Sequence, residues 1–297
     1  MTVIGQASAG QALGDVVPGR PQETLKQTAR RAQSRRTAWV WVGRAAVVVF
    51  VLGGWQWFTA VKWVDKFFFG QPSGIWDSLV HLFTVGTAFG TIWENLGITV
   101  LEAFLGFLLG TAGGVVFGIL FGSNKYLADV FGPYIKVLNS IPRIVLGSIF
   151  VVAFGFGPFP KVLLAAVLVF FIVFFNAFQG VREVDQNLIA NVRVLGASPL
   201  QVARHVTIPS AMTWIIASLH TAFGFAIIGA LVAEVLGAQH GVGLIITTAQ
   251  GNFDPDTVFA CMVIMAAVTL IAEYLITLLE RSLLKWRPPS RSEAQAI

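Results

Sequence analysis

The chain has 297 residues, 56% of them hydrophobic and 12% charged, with a mean hydropathy of +0.75, whereas a soluble domain carries roughly 25% charged residues. That balance excludes an ordinary soluble enzyme or binding module, and the length is better counted in bilayer spans of about 20 apolar residues each. The net charge of +5 collects on one side of the membrane once the spans are placed, which points away from nucleic acid, and the single cysteine, Cys261, excludes a disulfide framework and a cysteine-based metal site.

In chain order, residues 1–37 read as a flexible basic cytoplasmic tail, with a short basic helix over 23–36 lying on the membrane. The apolar run begins too late for a cleavable signal, so the first span, 38–60, stays as an anchor and leads into an extracytoplasmic segment that ends at 97. Trp39, Trp41, Trp55, Trp57 and Trp63 fit the aromatic belts of the two membrane surfaces. A five-helix core over 98–280 follows, with spans at 98–122, 127–155, 162–180, 211–236 and 258–279, a cytoplasmic loop at 181–210 and a cytoplasmic tail at 281–297. The expected fold is an all-α membrane protein with six transmembrane helices. Lys and Arg number fourteen on the side that holds both termini and three (Lys62, Lys66, Lys161) on the other, so both termini are expected in the cytoplasm.

Within the second span, glycines at 106, 110, 113 or 114, and 118 recur about every four residues and give a small-residue face for close helix packing, within the subunit or between two subunits. The third span carries Pro133, Lys136, Pro142 and Arg143, interruptions that a bilayer tolerates where neighbours or a cavity satisfy the freed backbone groups. Lys136 and Arg143 are seven residues apart and share a face if the helix is continuous. Ionisable groups at such depth are costly and default to functional candidates. Glu102, Lys136, Arg143 and Glu234 are therefore the candidates for a translocation pathway, with structural pairing of Arg143 or Lys136 to Glu102 or Glu234 as the other reading. Arg44 snorkels to the cytoplasmic surface, and Glu273 reads as an interhelical hydrogen-bonding group.

The stretch 190–209, ANVRVLGASPLQVARHVTIP, is a polar interruption between apolar spans. Leu188, Val192 and Leu195 recur at helical spacing, and the helix is expected to stop at Gly196, since glycine takes the left-handed conformation of a C-cap without steric cost. Ser198 followed by Pro199 is a restart signal, an N-cap residue with proline at the first helical position. A short helix over 199–205 then follows, with Pro209 opening the next span.

This loop resembles the EAA motif of binding-protein-dependent ABC importer permeases. Gly196, Val206, Ile208 and Pro209 fall at the motif's positions, whereas Ala190, Asn191 and Val192 stand where the family has a glutamate and two alanines. TVLEAFLGFLLGTAGG (99–114), NSIPRIVLGSIFVVAFGFG (139–157) and AEVLGAQHGVGLII (233–246) are similar to the nitrate/sulfonate/taurine-type branch. The resemblance implies a type I ABC importer permease fold in a bacterial inner membrane. It implies a homodimer with a second permease copy, two copies of an ABC ATPase subunit and an extracytoplasmic substrate-binding protein, and a small anion such as nitrate, bicarbonate, a sulfonate or taurine as cargo. It also makes Val192, Leu195, Gly196, Ala197, Ser198, Pro199, Arg204, His205 and Pro209 an ATPase-coupling loop.

The chain itself is not expected to be an enzyme. No G-x-x-x-x-G-K-[ST] stretch occurs, so ATP and Mg belong to the partner subunit. The GVG at Gly241–Gly243 reads as a tight turn or re-entrant packing. His81, His205, His220 and His240 are scattered without metal-ligand spacing, so neither a cofactor nor a metal is expected in this chain. The competing reading is a self-sufficient secondary transporter or channel.

Overall fold

The computed structural model describes residues 21–283 and divides after Trp63 into two compact units. The first is one helix, α1 (Pro21–Ala60), whose apolar part, Arg36–Ala60, is long enough to cross a membrane. The basic helix expected over 23–36 is thus continuous with the first span rather than separate from it. The remainder of the expected N-terminal tail and nearly all of the C-terminal tail lie outside the described residues.

The second unit is helical throughout its described length apart from turns and one isolated bridge, Thr87 to Gly90. Two short helices come first, α2 (Lys66–Phe69) and α3 (Pro72–Thr84), followed by α4 (Ile92–Ser123). Thr91 caps α4 through a full capping box: its hydroxyl accepts from the Glu94 N–H, and the Glu94 carboxylate accepts from the Thr91 N–H. Next come α5 (Lys125–Ser140), α6 (Arg143–Phe154) and α7 (Pro158–Arg182). The loop region holds α8 (Gln186–Val194), α9 (Pro199–Val202) and a π-helical turn, Ala203–Thr207. The chain closes with α10 (Ile208–Leu236), the short α11 (Val242–Gly251) and α12 (Pro255–Leu283).

Among the described residues five helices are long and apolar enough to cross a membrane, and the bent pair α5–α6 makes a sixth span if it is counted as one. The span expected over 127–155, with its prolines as interruptions, is sharply bent in the structure. The chain turns by 83° between Ser140 and Arg143, because Pro142 has no N–H to give a helix and forces Ile141 into extended backbone (ψ 128°). Lys136 and Arg143 consequently do not share a helical face.

The centre of this unit is the seam between α4 and α7. Gly106, Gly110, Gly114, Gly118 and Gly122 lie four residues apart on α4, each against the α7 backbone and the small or β-branched side chains Ala165, Val169, Val173, Ala177 and Val181. A methyl group at Gly114 would stand 2.8 Å from Val173 Cβ and 2.9 Å from the Phe170 carbonyl oxygen, closer than real atoms approach. The two sets of contacts advance together, so α4 and α7 run parallel, and the glycine face serves packing within the subunit. α10 runs antiparallel to α7: Gly180 meets Ala211 and Trp214 at one end, and Gly229 lies on Ala165 at the other. His220 on α10 joins α12 through Glu273 (2.6 Å) and Glu280 (3.0 Å), which gives Glu273 the interhelical bond expected of it. α3 is tied to α12 where the Gln71 N–H donates to Asp256 Oδ1 at 2.8 Å.

Gly114→Leu is expected to force α4 off α7 and lower the thermal midpoint of the purified chain, since overpacking of a filled contact typically costs about 1–3 kcal/mol or more. Gly97, which faces open space on the same helix, is the control: Gly97→Ala should leave the midpoint unchanged or raise it, because alanine is the better helix former by about 0.5–1 kcal/mol.

Candidate functional site

At one end of the bundle, α7 ends in Arg182 and the chain leaves for the loop. Asp185 caps α8 by accepting from the Asn187 N–H at 2.8 Å. α8 stops where the sequence predicts, with Gly196 at φ +86° and its N–H on the Arg193 carbonyl at 2.9 Å. Ser198 then opens α9 with a second capping box, its N–H on Gln201 Oε1 (2.7 Å) and its hydroxyl accepting from the Gln201 N–H (3.3 Å).

The helix that begins at Pro199 does not end at His205, which corrects the expectation of a break before Pro209. It runs without interruption to Leu236. Pro209 has no N–H to offer four residues back, and the helix absorbs that defect by widening to a π turn in which the Ile208 N–H reaches the Ala203 carbonyl. Val202 and Val206 are buried and root the turn in the bundle. Arg193, Arg204, His205 and Pro209 lie on the surface.

The tip carries an apolar surface that the chain itself does not cover. Val194 is 87%, Leu195 85% and Leu200 77% exposed, on either side of Gly196. The period noted at Leu188, Val192 and Leu195 is therefore not a buried face: Leu188 and Leu195 are exposed, and Val192 is half-buried.

The bend between α5 and α6 holds Arg143. One terminal nitrogen, Nη2, donates to Asn139 Oδ1 at 2.5 Å, and the guanidinium lies 5.4 Å from the centre of the Phe171 ring. Its Nε is buried without a partner. Pro142, the residue before α6, supplies no side-chain cap, so the positive end of the α6 dipole coincides with the Arg143 charge. Lys136 is exposed on α5, apart from it.

The opposite end of the bundle holds a buried polar cluster. Glu234, near the end of α10, is 1% exposed, Lys161 at the start of α7 is 2% and Glu102 on α4 is 4%. Glu234 Oε1 accepts from the Thr99 hydroxyl at 2.7 Å, and its Oε2 accepts from the Gly243 N–H at 2.6 Å. Thr99 Oγ1 in turn accepts from the Val242 N–H (2.9 Å), and Asn95 Oδ1 accepts from the Gly241 N–H (2.8 Å). Three consecutive N–H groups at the start of α11 are thus held by side chains of α4 and α10. Gly241, at φ +110°, and Gly243 are glycines because a Cβ at either would overlap the Glu234 side chain. Lys161 Nζ donates to the Phe156 and Gly157 carbonyls, which precede α7.

Comparison with known proteins decides the family. Residues 114–285, more than half of the chain, match the family described as binding-protein-dependent transport system inner membrane component. The chain belongs to this family. It is 32% identical over 257 residues to a protein of Bacillus subtilis (strain 168) that carries the name of an aliphatic sulfonates transport permease, covering 86% of this chain and 92% of the relative. It is 25% identical over 266 residues to the taurine transport system permease protein of Escherichia coli (strain K12), covering 86% and 96%. The riboflavin transport system permease protein of Chloroflexus aurantiacus is 26% identical over 272 residues, covering 89% and 98%. Among solved structures, the MetNI methionine ABC transporter in an inward-facing form matches with TM-score 0.52 at 19% identity, covering 64% of this chain and 93% of that one. An amino acid ABC transporter matches with TM-score 0.53 at 22% identity, covering 64% and 92%. The fold is that of an ABC importer permease, and the relatives put the chain in the sulfonate and taurine branch.

In this permease the sequence-predicted site residues fall into three places. Val192 to Pro199 with Arg204, His205 and Pro209 form the protruding loop. Arg143 sits at the α5–α6 bend and Lys136 apart from it. Glu102 and Glu234 meet neither of those cations, but lie together at the far end beside Lys161. Lys161, Asn95 and Thr99 were not anticipated. The available signal was a lone cation four residues into the apolar run that starts at Pro158.

Glu234→Ala leaves the Gly243 N–H without its acceptor, at about 1–3 kcal/mol for a buried group left unpaired, and leaves the Thr99 hydroxyl with the Asn95 carbonyl alone. The expected result is faster hydrogen exchange at the first amides of α11, with α4 and α7 still protected.

Proposed function

We propose that this chain forms the translocation pathway for a small organic anion of the sulfonate class in a bacterial inner membrane. In this reading it works as a homodimer, with a substrate-binding protein on the outer side and two ATPase subunits on the inner side. The observation that carries the reading is the loop around Gly196. An ordered, doubly capped protrusion with Val194, Leu195 and Leu200 turned to solvent favours a protein partner, since an apolar tip of this kind is costly in water unless it is covered.

The mechanism follows from what the chain has and lacks. It contains no phosphate-binding loop, so ATP and Mg are held by the partner. Closure of the ATPase pair pushes on α8 and α9. Because the π turn joins α9 to α10 without a break, that displacement passes along α10 as a rigid body and, through the packed α10–α7–α4 core, to the whole bundle. The helices rock between two packings that open the pathway to one side and then the other. A flexible hinge at Pro209 would have dissipated the push.

Arg143 is the residue we assign to the cargo. Its unpartnered Nε, the uncapped start of α6 and the adjacent Phe171 ring together suit a tetrahedral oxyanion with a short organic tail. The names of the sulfonate and taurine relatives support that cargo class. Lys136, out on α5, serves at most to attract anions to the entrance.

Two variants test these assignments in the transporter reconstituted with its ATPase and binding protein. Gly196→Val meets open space, so the fold should survive, but its φ of +86° is strained for a β-branched residue and the tip must change shape. The expected outcome is an assembled permease whose substrate-stimulated ATP hydrolysis falls at least tenfold; unchanged stimulation and transport would contradict the docking role. Arg143→Ala should cut sulfonate transport with the complex still assembled, whereas loss of the complex would make Arg143 a structural residue.

A further inference from the structure

The buried cluster opposite the loop poses a charge problem. Two carboxylates and one ammonium are enclosed at 4%, 1% and 2% exposure, where an unbalanced charge is expensive. Lys161 points at the Phe156 and Gly157 carbonyls, and no ion pair within 4.0 Å joins it to Glu102 or Glu234 among the described residues. Glu234 is equipped as the anion, because both of its oxygens accept hydrogen bonds from fixed donors, Thr99 and Gly243. Glu102 lies within hydrogen-bonding reach of it, yet its Oε2 is buried with no donor to accept from. A second carboxylate there would face the first across a medium that screens poorly.

We propose that the Glu102–Glu234 pair is a proton-binding site: one proton resides on Glu102, Glu234 carries the negative charge, and Lys161 balances it, so that the enclosed cluster is neutral. Among the described residues only Glu234 and Lys161 act as charges on Glu102, and at the start of α12 Asp256 and Asp254 are turned to the Gln71 and Thr257 N–H groups. α11 has no titratable residue, His240 before it is exposed, and Glu94 at the head of α4 is turned to the Thr91 N–H at the surface. The proton is therefore part of what holds the start of α11 in place, since ionisation of Glu102 would repel the carboxylate on which Gly243 and Thr99 depend. This site is independent of the assignments made for the loop and for Arg143.

Infrared spectroscopy of the full chain in lipid nanodiscs at neutral pH tests it, because exposed carboxylic acids are then ionised. The wild-type spectrum should contain the carbonyl stretch of a protonated carboxylic acid, and Glu102→Gln should remove it. Absence of the band in the wild type, which needs no variant, overturns the proposal, as does a band that persists in Glu102→Gln. Charge balance gives a second readout. Lys161→Met strands the Glu234 charge and should lower the thermal midpoint by roughly 5–10 °C; adding Glu234→Gln removes that charge and should recover at least half of the loss. A double variant that melts no higher than Lys161→Met would overturn the neutral cluster.

Discussion

The close approach of α4 to α7 is the contact on which the rest of this permease depends. In a bilayer the lipid is as apolar as the side chains, so helices gain little from hiding apolar surface and must gain from tight backbone packing instead. Five glycines four residues apart allow that approach over four turns of helix, and they hold the two helices parallel. Parallel alignment puts the starts of α4 and α7 at the same end of the bundle. Antiparallel packing of α10 then brings Glu234 to that end and the loop before α10 to the other. The buried cluster and the protruding loop are separated because of this seam.

The two ends satisfy polar groups in opposite ways. At the loop, side-chain caps from Asp185, Ser198 and Gln201 complete short helices from within, leaving the apolar tip residues exposed. At the cluster, the first N–H groups of a short helix are satisfied from outside, by Asn95 and Thr99 on α4 and Glu234 on α10. The loop can therefore change neighbours without losing its own hydrogen bonds. α11 cannot leave the core without exposing three donors and a carboxylate. The rocking proposed for this permease would use both kinds of element: one that yields to a partner and one that keeps the helices at the far end in register.

Much of this was legible in the sequence because it rests on local chemistry. Gly196 with Ser198-Pro199 specifies a stop and a restart regardless of surroundings, and the spacing of 106, 110, 114 and 118 announces a close helix contact. What the sequence did not yield depends on neighbours distant in the chain. Pro142 could kink or break a span, and only the 83° turn shows that Lys136 and Arg143 part company. Pro209 looked like the start of a helix because proline favours that position; in the fold it lies within a helix whose π turn makes room for it. Lys161 read as a loop cation on the outer side, since the buried carboxylates near it, Glu102 and Glu234, are 59 and 73 residues away. The GVG turn was read as packing, and the side chains that demand its glycines explain why.

The central claim is that this chain is a pathway without an engine of its own. Uptake of a labelled sulfonate into proteoliposomes measures it directly, with the permease alone and with its ATPase and binding protein present. Uptake that requires the complete complex and ATP on the ATPase side, and that an ion gradient cannot drive, is the expected result. Accumulation by the permease alone under an ion gradient would contradict the account.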